Sequence, residues 1–207
     1  MPSRPAPPLP QPTPPAAAGR ALAGAARAAA SAWAQPLDPA SHGRAVSQLH
    51  SILRDLGIAT RGLAAYQAGS PPPVLADPDF ARHATAGARQ LTEAWQHLDG
   101  MLAAEGITPP ADPDEPGAAL CQAARDAILA WRQPSGTAAD RDEAVRQLVT
   151  ATGTLSMATS TLAACASRRP AIRLQAAADS LAAALTCLAA AISPGENAPS
   201  AEPARGQ

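Results

Sequence analysis

Apolar residues recur at steps of three and four along most of this chain. Val46, Leu49, Leu53, Leu56, Thr60 and Leu63 follow that spacing, and so do Val145, Leu148, Thr152, Leu155, Thr159 and Leu162. A third seam runs through Ala84, Ala88, Leu91, Trp95, Leu98 and Leu102. A fourth runs through Leu174, Ala178, Leu181, Leu185, Leu188 and Ile192. Such spacing gathers each set on one face of an α-helix and suits helices packed nearly parallel or antiparallel. No strand-like alternation competes with it. The pattern predicts six helices, over residues 20–34, 42–68, 80–105, 118–132, 137–167 and 171–192, with Asp77 or Asp79 capping the third.

The seams come in a repeated order. GRALAGAARAAASAWAQP, from Gly19, aligns with GAALCQAARDAILAWRQP, from Gly117, and pairs Leu22 with Leu120, Arg27 with Arg125 and Trp33 with Trp131. AVSQLHSILRDLGIATRGLAAYQ then aligns with AVRQLVTATGTLSMATSTLAACA, and Leu91, Trp95, Leu98 and Leu102 align with Leu181, Leu185, Leu188 and Ile192. Fixed-order similarity of this kind marks a duplicated supersecondary unit. Three helices return the chain at the opposite end, so a second copy starts antiparallel to the first.

The expected fold is therefore all-α. It is a six-helix antiparallel bundle of two tandem three-helix repeats related by a pseudo-twofold axis, as in a fused isologous dimer. The four long helices are expected to form its core, with the first and fourth laid against it at equivalent sites. The expected organisation is a disordered Pro-rich tail over residues 1–18, helical repeat 1 over 19–105, an acidic Pro-rich linker over 106–116, helical repeat 2 over 117–193 and a disordered tail over 194–207.

Composition narrows the function classes. The net charge is −1, there is no lysine, and apart from the Arg168–Arg169 pair the arginines are scattered singly, so no basic face suited to nucleic acid emerges. The N-terminus lacks the apolar segment of a signal peptide, and no apolar run is read as approaching the ~20 residues of a membrane span. A cytoplasmic location is expected, with neither nucleic acid nor membrane as partner.

The candidate chemistry is sparse. The histidines are His42, His50, His83 and His97, and Glu93 and His97, four residues apart, share a helix face and could hold a metal together. His50 and Asp55 on the neighbouring helix are the only further contributors to a metal site or an active site. Their counterparts in the second copy (Val149 for His50, Ala183 for Glu93, Cys187 for His97) carry no such chemistry, so an exposed or hydrogen-bonded pair is the expected reading. Cys121, Cys165 and Cys187 show no metal-site or disulfide spacing and are expected to be buried or half-buried free thiols, Cys165 having Arg168 and Arg169 nearby. Trp33 and Trp131 are expected to plug the bundle ends. Residues 4–10, RPAPPLP, have the form of a ligand for polyproline-binding grooves, although a tether is the simpler reading. No catalytic, cofactor-binding or metal-binding residue is assigned, and no cofactor is expected.

These observations predict a non-enzymatic association or scaffold module whose partner is another protein or itself. The alternative is a small-molecule-binding bundle, with Thr60, Thr159, Gln48 or Gln147 converging on an internal pocket.

Overall fold

A computed structural model of the chain describes residues 13–69, 78–105, 117–132 and 138–192. Six helices and no strand are found among them: α1 (Pro15–Trp33), α2 (Pro39–Gly69), α3 (Pro78–Glu105), α4 (Ala118–Arg132), α5 (Ala138–Cys165) and α6 (Arg168–Ile192). The RPAPPLP segment, the Pro-rich loop after α2, the acidic linker and the C-terminal tail lie outside the described residues.

Four helices start earlier than the apolar pattern alone predicts, and all four carry proline in the first turn. Pro14 is extended (φ −59°, ψ 143°) and Pro15 takes the first helical position of α1. A proline costs nothing there, because its missing N–H would have no helical partner in any case. The carbonyl of Pro14 accepts from the backbone N–H groups of Ala17 and Ala18 at 3.0 and 3.1 Å. Residues 15–18 thus belong to α1 rather than to a tail, with Ala16 and Ala18 buried.

In α2, Pro39 follows Asp38, whose carboxylate accepts from the Ser41 backbone N–H at 2.9 Å and from the Ser41 hydroxyl at 2.8 Å. That is an N-cap. At α6 the Ser167 carbonyl accepts from the Ala171 N–H at 2.9 Å, with Pro170 in the first turn. In α3, Asp79 lies inside the first turn and pairs with Arg82 at 3.1 Å.

The neighbour relations close into a ring: α1 packs on α5, α5 on α6, α6 on α3, α3 on α2, α2 on α4, and α4 on α1. The four long helices form an open row, and the two short helices close it. Instead of forming an outer layer on a four-helix core, α1 and α4 are integral to it: Leu22, Leu120 and Trp131 are among the most deeply buried side chains.

One continuous core joins all six helices. Leu49, Leu53, Leu56, Leu91, Leu98, Leu148, Leu155, Leu181 and Leu188 supply much of its bulk, each side chain being worth ~1.5–3 kcal/mol when fully buried. Alanine and glycine let the backbones approach. At Gly19 an added methyl group would lie 3.2 Å from the Ala144 Cα on α5.

Candidate functional site

The polar residues that the sequence singles out are dispersed by the fold. His50, on α2, places Nε2 3.1 Å from Asp99 Oδ1 on α3, and its ring lies 5.6 Å from that of Trp95. A carboxylate only accepts, so Nε2 carries the hydrogen. Glu93, the expected companion of His97, instead accepts from Arg89 one turn earlier at 3.1 Å. Asp55 faces α4. Only 4% exposed, it accepts from Arg54 at 3.2 Å and has Arg125 Nε of α4 at 3.8 Å. No group of three potential metal ligands forms among the described residues.

The hydroxyls and amides proposed for an internal pocket do not converge either. Thr60 and Thr159 are fully buried and donate to the carbonyls one turn back in their own helices, Leu56 at 2.8 Å and Leu155 at 2.7 Å. Gln147 donates to Glu143 at 2.7 Å. Gln48 occupies the space beside Gly117, where an added methyl group would run into its side chain. Three buried polar atoms have no hydrogen-bond partner among the described residues: Ser47 Oγ, Trp95 Nε1 and Thr152 Oγ1.

The three thiols are free and differ in environment. Cys121 is half-buried, with the Gln48 carbonyl 3.9 Å from its sulfur. Burial raises its pKa above the ordinary thiol value, the nearby Arg125 opposing that rise. Cys187 is half-buried, whereas Cys165 is exposed, contrary to the expectation of burial. It is the last residue of α5, on the exposed side of a turn whose Leu162 and Ala163 are buried.

Cys165 borders an open cleft of about 370 Å³, which His42, Val46, Met101 and Ser167 also line. His42 Nε2 is 2.9 Å from the Leu162 carbonyl, so it donates there and ties the start of α2 to the end of α5. A smaller hollow of about 140 Å³ lies beside Trp33, Leu37 and Gln48. The two tryptophans behave as packing residues: Trp33 and Trp131 are both buried in the core, and the Trp131 indole donates to the Pro15 carbonyl at 3.2 Å.

The feature that sequence reading missed is a surface. Exposed large apolar side chains among the described residues include Met157 on α5 and Ile172 on α6, 69% and 64% exposed, with Leu129 on α4 at 63%. By length and composition alone Ala139–Cys165 and Arg168–Ile192 are apolar enough to cross a membrane, with mean hydropathies of 1.2 and 1.5, although threonine, serine and glycine interrupt any continuous apolar run. Only 44% and 33% of those windows are buried in the bundle. A tally of uncharged stretches would have found this: no charged residue falls between Arg146 and Arg168, or after Asp179 in α6.

No protein-family model matches the chain, and neither the curated proteins nor the solved structures contain a match.

Proposed function

We propose that this chain is a non-catalytic association module built on a duplicated three-helix unit, acting in the cytoplasm through a protein partner. The observation that carries this reading is the α5–α6 pair, whose apolar character exceeds what the bundle covers and which keeps Met157 and Ile172 in solvent. Exposed large apolar groups on a charge-poor face favour association. The polar residues with catalytic potential support a scaffold role, since His50, Glu93 and Asp55 are all engaged in contacts within or between helices.

The duplicated unit is supported by contacts that come in pairs. Exchanging α1 with α4, α2 with α5 and α3 with α6 maps the ring of helix neighbours onto itself. Gly19 meets Gln147 on α5, and its counterpart Gly117 meets Gln48 on α2. Thr60 and Thr159 make the same backward hydrogen bond. A fused pair of similar units would leave one half free to diverge as a docking face.

The test is photo-crosslinking in the native cell, with a photoreactive residue at Met157 and a control at Gln96, exposed on α3. A discrete higher-mass adduct from the Met157 position alone is expected. Absence of any adduct there, or equal labelling from Gln96, would overturn the reading.

The 370 Å³ cleft beside His42 favours a second reading, a small-molecule site. A ligand that raises the unfolding temperature of the wild type but not of His42→Ala would support it.

A further inference from the structure

We propose that a second copy of this chain covers the α5–α6 face, the two copies packing as an isologous pair in antiparallel register. The inference rests on the association reading and names its partner.

The face dehydrates at low cost. Its outward hydroxyls are already engaged with their own helices: Thr150 donates to the Arg146 carbonyl, Thr154 to Thr150, Thr161 to Met157 and Thr186 to Ala182, at 2.9–3.1 Å. Covering them leaves each of these donors satisfied, and the one carboxylate of α6, Asp179, already accepts from Gln175 at 2.9 Å. The residues between them, such as Ala164, Ala182 and Ala183, are small and exposed and allow close approach of helix axes. Met157 and Ile172 stand above that low relief as the two bulky groups.

The size of the face also suits a second copy. Helices α5 and α6 contain 28 and 25 residues, so each is about 40 Å long. Side by side they present a face ~20 Å across. That gives roughly 800 Å² per copy, the area that a stable interface of standard size buries on each partner. A lipid surface is a poorer match, because bilayer binding gains from large apolar side chains and this face has two among alanines and threonines.

Charge selects the register. Helices α5 and α6 form a hairpin joined only by Ala166 and Ser167, so the start of α5 and the start of α6 lie at opposite ends of the face. The start of α5 carries the carboxylates Asp140, Asp142 and Glu143 among Arg141 and Arg146, with Arg20 of α1 near Glu143. The start of α6 carries Arg168, Arg169 and Arg173 and no carboxylate. A twofold axis perpendicular to the helices sets the three carboxylates of each copy beside the arginines of the other. An axis along the helices would set three arginines against three. Like charges so juxtaposed oppose docking.

The deciding experiment is sedimentation equilibrium of the purified full chain over about 1–300 μM. A monomer–dimer equilibrium is expected. Met157→Glu and Ile172→Glu should each raise the dissociation constant at least about tenfold, while Leu129→Glu, an equally exposed position on α4, should leave it unchanged. Arg168→Glu with Arg169→Glu should weaken the dimer and flatten its dependence on salt. Unchanged circular dichroism confirms that each variant folds, and Ala183→Arg provides an independent probe of the face should one of them fail to.

A chain that stays monomeric throughout, or a dimer indifferent to the face variants, overturns the proposal. A dimer strengthened by the double arginine reversal overturns the antiparallel register. Flotation of a monomeric chain with phosphatidylglycerol vesicles, abolished by Met157→Glu, assigns the face to lipid and also overturns it. A monomer whose Met157 crosslinks in cells to a different protein removes the second copy but leaves the association reading standing. Monomer and no adduct together remove both.

Discussion

The Trp131 indole and the Pro15 carbonyl, far apart in the chain, are joined by a buried hydrogen bond of 3.2 Å. This bond fastens α4 to the first turn of α1 and makes Pro15–Ala18 part of the bundle. Trp131→Phe keeps most of the ring but leaves the carbonyl without this donor, and should cost about 1 kcal/mol in urea unfolding. Trp131→Ala should cost about 3–5 kcal/mol. Starting the chain at Gly19 removes the acceptor together with buried Ala16 and Ala18, and should cost about 1–3 kcal/mol. An unchanged midpoint on that truncation would return the segment to the role of a tail.

Two glycines of α3 should respond to alanine with opposite signs. A methyl group at Gly87 would meet the fully buried Leu188 side chain at 2.8 Å, whereas one at Gly100 meets nothing within 4 Å. Gly100→Ala should stabilise by about 0.5–1 kcal/mol through helix propensity alone. Gly87→Ala should destabilise by about 1 kcal/mol, overpacking against α6 outweighing the same gain. Thermal unfolding of the two variants provides the comparison.

Acid should weaken the fold at two identifiable places. The Ser41 backbone N–H, then its hydroxyl, hold the Asp38 carboxyl below its ordinary value of 3.8. The Gln147 amide and then Arg146 hold Glu143 below its ordinary 4.5. A carboxylate whose folded pKa is depressed contributes fully above its unfolded value and loses that contribution as pH falls through the folded one. Stability should therefore drop below about pH 4, and Asp38→Ala with Glu143→Gln should flatten the decline. Denaturation midpoints between about pH 2 and 6 measure the difference.

Thiol labelling should rank the cysteines. Exposed Cys165 should react with an aromatic disulfide reagent at pH 8 at least about tenfold faster than Cys121, whose raised pKa and burial leave little accessible thiolate. Equal rates would mean that α4 opens from α2 on the timescale of the reaction.

Helix number and the identity of the seam residues were legible from periodicity, because a residue every three or four positions has one way of sharing a face. Helix starts were less so. The apolar pattern places four helix starts too late, because proline at positions 15, 39, 78 and 170 sits in a first turn and interrupts no hydrogen bond. Asp38 followed by Pro39 forms a cap several residues before the apolar seam of α2 begins. The histidine and carboxylate candidates were nameable, but which of them meet depends on rotation about each helix axis. His50 and Asp99 face one another across α2 and α3, and Glu93 turns outward to Arg89.

The sequence by itself determined six amphipathic helices, their apolar faces and the matched order of Trp33 with Trp131, since these depend only on neighbours along the chain. Tertiary structure alone decided that α1 packs on α5 and α4 on α2, because that choice weighs shapes across the whole core. It also decided how much of each apolar face is used. The seams of α5 and α6 keep the spacing of those in α2 and α3, while Met157 and Ile172 lie off them and stay in solvent. Periodicity records which residues share a covered face; only the packed helices show which bulky side chains outside it no neighbouring helix covers.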